Sequence, residues 1–279
     1  MKTGIVDVGG GMRGIYAAGV LDYCLNHHIH FDMGIGVSAG SANLASFAAN
    51  QSGRNYRFYT EFAMRKEYMG LGNFLRKRAF FDLDYVYGTL SNSDGEAPLD
   101  YLTLKNNPME LIVVATEART GNPRYFQKED IAQDAYHVFK ASSAIPYINL
   151  PRFIDGKPYY DGALSDPVPI QKAFDSGCER VALLLTLPEN AVRTSGQDKR
   201  LAAKIRGCYP CAAEKLERRV ELYNQQVALA KEYAAKGKLC IIAPDNTCGV
   251  TTLNRNAKAL EQLYKKGYND AERISAFLA

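Results

Sequence analysis

No apolar run in this sequence is long enough to cross a bilayer. The longest strongly apolar stretch, VALLLTL at Val181–Leu187, falls far short of the roughly 20 residues a spanning helix needs. The amino terminus, MKTGIVDVGGG, has too short an apolar stretch for a secretory signal, and no small-residue cleavage site follows. Charge of one sign is also scarce. A formal net charge of +4 permits contact with anionic lipid but is too weak to argue for nucleic acid. There is no internal repeat and no low-complexity segment. Histidine is sparse: His27, His28, His30 and His137 are the whole set, and none lies in the last half. These absences lead us to expect a cytoplasmic protein, at most peripheral at a membrane, with no transmembrane segment and no nucleic-acid partner. They leave its oligomeric state open.

The composition is that of an ordinary globular chain: hydrophobic residues make up 47% and charged residues 23%, which excludes disorder. Its 279 residues suit one α/β domain with additions. Six cysteines without a secretion signal read as reduced thiols. Cys208 and Cys211 form a lone CxxC, and a single pair is weak grounds for zinc. No metal and no cofactor is expected.

Apolar runs at Ile5–Val8, Met33–Val37, Leu111–Thr116, Val181–Leu187 and Leu239–Ala243 read as buried strands. Helical spacing over about 12–28, and a small apolar stretch at Ala39–Asn50, alternate with the first two. Strand, helix, strand, helix predicts parallel strands with crossover helices. The aromatic and basic stretch Gly53–Pro98, with RKRAFF at Arg76–Phe81, reads as a mostly helical insertion over the site. RKRAFF is taken as a solvated basic face with two core aromatics. Apolar residues at Leu216, Val220, Tyr223, Val227, Ala230 and Ala234 step by four and three, one side of a long helix. Ala257–Leu278 reads as a closing amphipathic helix.

Gly9–Gly14 (GGGMRG) satisfies GxGxxG after a strand and before a helix. One reading is a dinucleotide loop with Asp32 as the ribose acid. Asp32, however, precedes the second strand and so sits at the wrong sheet edge. The other reading is an oxyanion site, in which consecutive glycines turn N–H groups towards one point at a helix start. Arg13 either braces this loop or faces an anionic substrate.

Gly36–Gly40 (GVSAG) is a GxSxG directly after a predicted strand and directly before a helix. That is the setting of a nucleophile elbow, with Ser38 at its tip. No histidine follows late in the chain, so an ordinary Ser–Asp–His triad is disfavoured, and His137 reads as structural. A carboxylate is the remaining base. Asp155-Gly156 lies between two short strand-like runs and is accounted for as a hairpin turn. Asp161, at the end of the second run, is the candidate. A free aspartate is a weak base, so it needs direct contact with Ser38 and partial desolvation.

Four blocks in order, GGGMRG (Gly9–Gly14), GVSAG (Gly36–Gly40), ASSAIP (Ala141–Pro146) and DGA (Asp161–Ala163), resemble the patatin-like phospholipases. The resemblance implies a three-layer α/β/α patatin-like fold with a mostly parallel central sheet and helical additions. It implies a calcium-independent Ser–Asp dyad that cleaves acyl esters of phospholipids, lysophospholipids or neutral lipids. By that match Ser38 is the nucleophile, Asp161 the proton acceptor, and Gly9, Gly10 and Gly11 line the oxyanion hole. Arg13, Gly14, Gly36, Gly40, Gly162 and Ala163 complete the motifs, Ala163 replacing the commoner second glycine of DGG. The ASSAIP block shapes the site without reacting. Residues 1–279 are expected to form one domain, with a motif-bearing core at about 3–188 and a helix–strand–helix extension at about 198–279. The rivals are a nucleotide-binding protein using the glycine loop and a non-catalytic lipid-binding scaffold. Thioesterase or acyltransferase chemistry on the same acyl-enzyme also stays open.

Overall fold

A computed structural model describes residues 1–77, 79–253 and 255–279. Its sheet contains β1 (Thr3–Asp7), β2 (Met33–Val37), β3 (Glu110–Glu117), β4 (Pro123–Gln127), β5 (Arg152–Ile154), β6 (Lys157–Asp161), β7 (Arg180–Leu184) and β8 (Leu239–Ile242). The helices are α1 (Ile15–Asn26), α2 (Ala39–Ala48), α3 (Arg54–Thr60), α4 (Leu71–Lys77), α5 (Tyr101–Asn106), α6 (His137–Ser142), α7 (Ile170–Asp175), α8 (Asp198–Ile205), α9 (Pro210–Ala235), α10 (Ala257–Asp270) and α11 (Glu272–Leu278).

The sequence of β2, MGIGV, explains how the layers pack. Side chains alternate across a strand, so Met33, Ile35 and Val37 enter one core with Val6, Val181 and Leu183, covered by α7 and the middle of α9. The glycines turn to the other face. There α2 lies so close that a Cβ at Gly36 would sit 2.6 Å from the Ser41 nitrogen. On that face α1, α2, α3, α6 and α10 bury a larger core that includes Ile15, Tyr16, Leu44, Phe58, Phe139 and Leu263. Two helical layers around one sheet make the expected three-layer α/β/α arrangement.

The sheet order is β5-β6-β3-β2-β1-β7-β8, with β4 pairing β3 off this path. The five strands from β3 to β8 are mutually parallel. The β4, β5 and β6 pairings are antiparallel. The chain builds outward from β1 through β2 to β3, then returns to β7 on the other side of β1. The crevice beyond the carboxyl ends of strands flanking such a reversal is the usual ligand site of an open α/β sheet. Both the glycine loop after β1 and the GVSAG turn after β2 open there.

Most expected elements fall within a few residues of their sequence positions. Two differ. The strand expected at Val181–Leu187 leaves the sheet after Leu184, although Leu185 and Thr186 stay buried. Strand β4, PRYFQ, was not anticipated, because only Phe126 is fully buried in it. The Gly53–Pro98 insertion is helical as expected, through α3, α4 and a π-turn at Tyr85–Leu90. In the RKRAFF stretch, Arg78 and the side chains of Arg76 and Lys77 lie outside the described residues, while Phe80 and Phe81 pack against the core. No helix of the described residues is long and apolar enough to cross a membrane.

Candidate active site

Strand register brings Ser38 and Asp161 together. β2 runs parallel to β3 and pairs residue by residue until Val37 meets Val114. β6 runs antiparallel along β3 and pairs until Asp161 meets Ala115, the next position. The outer edge of β3 at 112–116 is occupied by β4. β2 and β6 therefore share the inner edge and converge end to end. Ser38, the residue after Val37, meets the last residue of β6, and the Ser38 side chain lies close enough to the Asp161 carboxylate to favour its charged form.

The turn at Ser38 is strained. Its φ is 55° and ψ −130°, a region that costs a non-glycine residue on the order of 1–3 kcal/mol. It persists because the surroundings hold it. The Ser38 N–H donates to Ser142 Oγ at 2.8 Å, which in turn donates to the Val114 carbonyl at 2.6 Å. Ser41 Oγ donates to the Ser38 carbonyl at 2.6 Å. A Cβ at Gly40 would lie 2.7 Å from the Asp7 carboxyl carbon, so that position admits only glycine.

Asp161 is buried and its pKa is raised. Burial is the main cause; the Ser38 side chain, the Ala163 N–H at 2.8 Å, and the more distant Arg219 and Arg193 pull the other way. Its backbone N–H donates to the Ala144 carbonyl at 2.9 Å. The ASSAIP block thus fixes both partners: Ser142 holds the Ser38 backbone, and Ala144 holds that of Asp161. Gly162 lies against the Val114 carbonyl, and Ala163 supplies the amide that orients the carboxylate.

The glycine loop needs one correction. Gly9 was expected among the oxyanion donors, but its N–H donates to Asp7 Oδ1 at 2.9 Å and so belongs to the fold. Among the described residues no acceptor takes the Gly10 or Gly11 N–H. Their N–H groups are left without a partner among those residues, and Gly14 is the cap residue before α1. The loop is held from three sides: by Asp7, by Thr186 Oγ1 donating to the Gly9 carbonyl at 2.6 Å, and by the Thr252 carbonyl accepting from Met12 N at 3.1 Å. Arg13 braces the same clamp, donating to Thr252 Oγ1 at 2.8 Å. Burial and the like charge of Arg193 lower Arg13 to about 10.

Asp7 was missed by sequence reasoning. It is fully buried, accepts from Asn43 Nδ2 at 2.9 Å as well as from Gly9, and is pushed up to about 6 by burial. A carboxylate inside an otherwise apolar strand run was the available signal; Ser142 lay in a quoted block without an assigned contact, and Thr252 had no local signal at all. Replacing Asp7 with alanine leaves the Gly9 N–H without its acceptor and frees the loop. We expect kcat to fall roughly a hundredfold, the scale of losing one oxyanion donor, with a smaller change in KM. Steady-state kinetics beside a thermal melt checks this; an unchanged kcat would mean that Asp7 does not position the loop.

Other candidates lie away from this centre. Asp32 accepts from Thr3 N at 2.6 Å and Thr3 Oγ1 at 3.0 Å, at the amino-terminal edge of the sheet, opposite the glycine loop. All four histidines are exposed. Asp155 and Gly156 both have positive φ, 50° and 72°, and form the β5–β6 turn. Cys208 and Cys211 flank the start of α9 as free thiols.

A pocket of about 90 Å³ opens beside Ser38. Near the serine it is walled by Met12, Ala39, Ala42, Phe81, Phe139 and Ile145, and it extends beneath the helical insertion to Arg54, Ser91 and Tyr136.

A sequence model of the patatin-like phospholipases matches residues 8–174, more than half of the chain. A second model, described as a domain of unknown function (DUF6363), matches residues 209–278. The chain is similar to the uncharacterized protein YjjU of Escherichia coli (strain K12), at 29% identity over 205 residues, covering 72% of this chain and 56% of that protein. It therefore spans little more than half the length of that curated relative. Among solved structures, VipD from Legionella pneumophila is similar in fold, with a TM-score of 0.50 and 13% identity over 98% of this chain and 66% of that one.

Proposed function

Because the chain belongs to the patatin-like phospholipase family, we propose that it is a serine lipid acyl hydrolase working through Ser38 and Asp161. Asp161 accepts the Ser38 proton as Oγ attacks an ester carbonyl. The Gly10 and Gly11 N–H groups, at the start of the following helix, stabilise the oxyanion. The alcohol or lysolipid departs with the proton, and Asp161 then activates water against the acyl-enzyme. The pocket beside Ser38 takes the acyl chain. We further propose that the whole chain acts as one unit: residues of about 3–188 carry the reacting groups, and the part from about 198 supplies Thr252, which clamps the glycine loop.

The observation that carries this reading is the strand register that sets the Ser38 side chain beside the buried Asp161 carboxylate, with no histidine next to them. Its test is fatty-acid release from a panel of phospholipid, lysophospholipid, triacylglycerol and short-chain esters. Turnover of at least one ester class is expected. No release from any of them would refute the reading.

The proposed base works only when ionised. Since burial raises Asp161, kcat/KM is expected to fall on acidification with a midpoint above the usual aspartate range; a rate that stays level down to that range contradicts the assignment. Stability moves the other way for these groups. For Asp7 and Asp161, both raised in the folded state, the stabilising contribution is full below the unfolded pKa and is lost as pH rises through the folded one. Acid loss of rate therefore does not arise from unfolding driven by these two groups.

A further inference from the structure

The inner end of the pocket is cationic, although its walls are mostly apolar. Arg54, the first residue of α3, lies there half-buried, with its guanidinium 4.6 Å from the centre of the Phe58 ring. Nε donates to the Ala97 carbonyl at 3.3 Å, Nη1 to Ser46 Oγ at 2.8 Å, and Nη2 to Ser91 Oγ at 3.0 Å and the Ala97 carbonyl at 2.9 Å. That uses four of five N–H groups and leaves one on Nη1. Every acceptor is neutral. Among the described residues no carboxylate pairs with Arg54, and the groups that face it are the phenols of Tyr136 and Tyr87. Burial lowers it to about 10, so it stays charged at neutral pH. Tyr136, 1% exposed, has a buried hydroxyl that donates to no acceptor among the described residues.

A staple between α2 and the 91–97 segment needs donors, not a charge. A desolvated cation without a counterion is costly, and here it lines a cavity that leads to the proposed nucleophile. Ser38 and Ser46 lie at opposite ends of α2. They are eight positions apart, roughly 12 Å at the helical rise, and because Arg54 Nη1 rests on Ser46 Oγ this is the scale of the run along α2 from Ser38 to the guanidinium.

Resting on the reading of Ser38 as the acyl acceptor, we propose that the pocket selects acyl chains of medium length whose far end carries a carboxylate, received by Arg54 Nη1 and the Tyr136 hydroxyl. The anion supplies the missing counter-charge and takes the two unused donors. A plain hydrocarbon chain of the same length would leave both donors and the charge buried against methylenes. The preference is thus built from a penalty on the wrong chain as well as a contact to the right one.

The test compares the mono-p-nitrophenyl ester of sebacic acid with p-nitrophenyl decanoate, which has the same chain length and no terminal carboxylate. We expect the wild type to favour the sebacyl ester by roughly tenfold or more in kcat/KM, the scale of hydrogen bonds to a charged group. Arg54→Gln should abolish or invert this ratio, Arg54→Lys should restore part of it, and Tyr136→Phe, which removes only a hydroxyl, should reduce it. The ratio is read within each variant, so partial loss of folded protein cancels. A wild-type preference for the decanoyl ester, or a ratio unchanged in both Arg54→Gln and Tyr136→Phe, overturns the proposal while leaving Ser38 as nucleophile intact. If neither ester is cleaved and a fluorophosphonate leaves Ser38 unmodified, the hydrolase reading falls, and this proposal with it.

Discussion

Replacing Ser38 with alanine or glycine is expected to lower kcat by roughly ten-thousandfold or more, the scale on which removing a serine nucleophile acts, but the two variants should differ in stability. The backbone at this position is held at φ 55° and ψ −130° by the Ser142 and Ser41 bonds and by close packing at Gly36 and Gly40. Alanine keeps that strain and removes the hydroxyl from Asp161, so Ser38→Ala should be no more stable than the wild type. Glycine relieves it, and Ser38→Gly should be more stable by about 1 kcal/mol. Chemical denaturation of both inactive variants reads this difference. A glycine variant less stable than the alanine variant would mean that the turn stores no strain for function to exploit.

Asp161→Asn is expected to cost roughly a thousandfold or more in kcat, the range seen when the carboxylate of a serine-hydrolase site becomes an amide. The geometry explains why an isosteric change should be so damaging. The Ala163 N–H requires an acceptor at Oδ1, so the asparagine oxygen must face Ala163 and its NH₂ must face Ser38. The group opposite the hydroxyl then donates a proton where it should take one. The fold should not suffer, because burial already disfavours the charged form of Asp161 and a neutral amide avoids that cost. Inactivity with an undiminished melting temperature is the expected result. A variant that loses activity only in proportion to its unfolded fraction would reduce Asp161 to a structural residue.

The parts of this architecture that were legible in the sequence are those that depend on local chemistry. Alternation in MGIGV, the β-rich LIVVAT, the Asp155-Gly156 turn and the step pattern of α9 each declare their element without reference to the rest of the chain. The elbow was legible for the same reason: a small-residue turn between a strand and a helix is a local demand. The convergence of β2 and β6 on one edge of β3 was not, because register between strands more than a hundred residues apart is decided by the assembled sheet. The clamp on the glycine loop was equally hidden. Thr186 acts through one hydrogen bond and Thr252 through two, both from distant segments, and nothing around either residue marks it. Gly9 illustrates the converse error. Its place in a run of three glycines suggested three equivalent donors, whereas the buried Asp7 two residues earlier takes one of them.

The central claim is that Ser38 is a nucleophile activated by Asp161 alone, and the most direct measurement is covalent. The intact protein and its Asp161→Asn variant would be treated with a fluorophosphonate, and the adduct mapped by peptide mass spectrometry over time. The account predicts one adduct, on Ser38, formed readily in the wild type and far more slowly in the variant. An adduct on another residue, none at all, or equal labelling rates in the two proteins would contradict it.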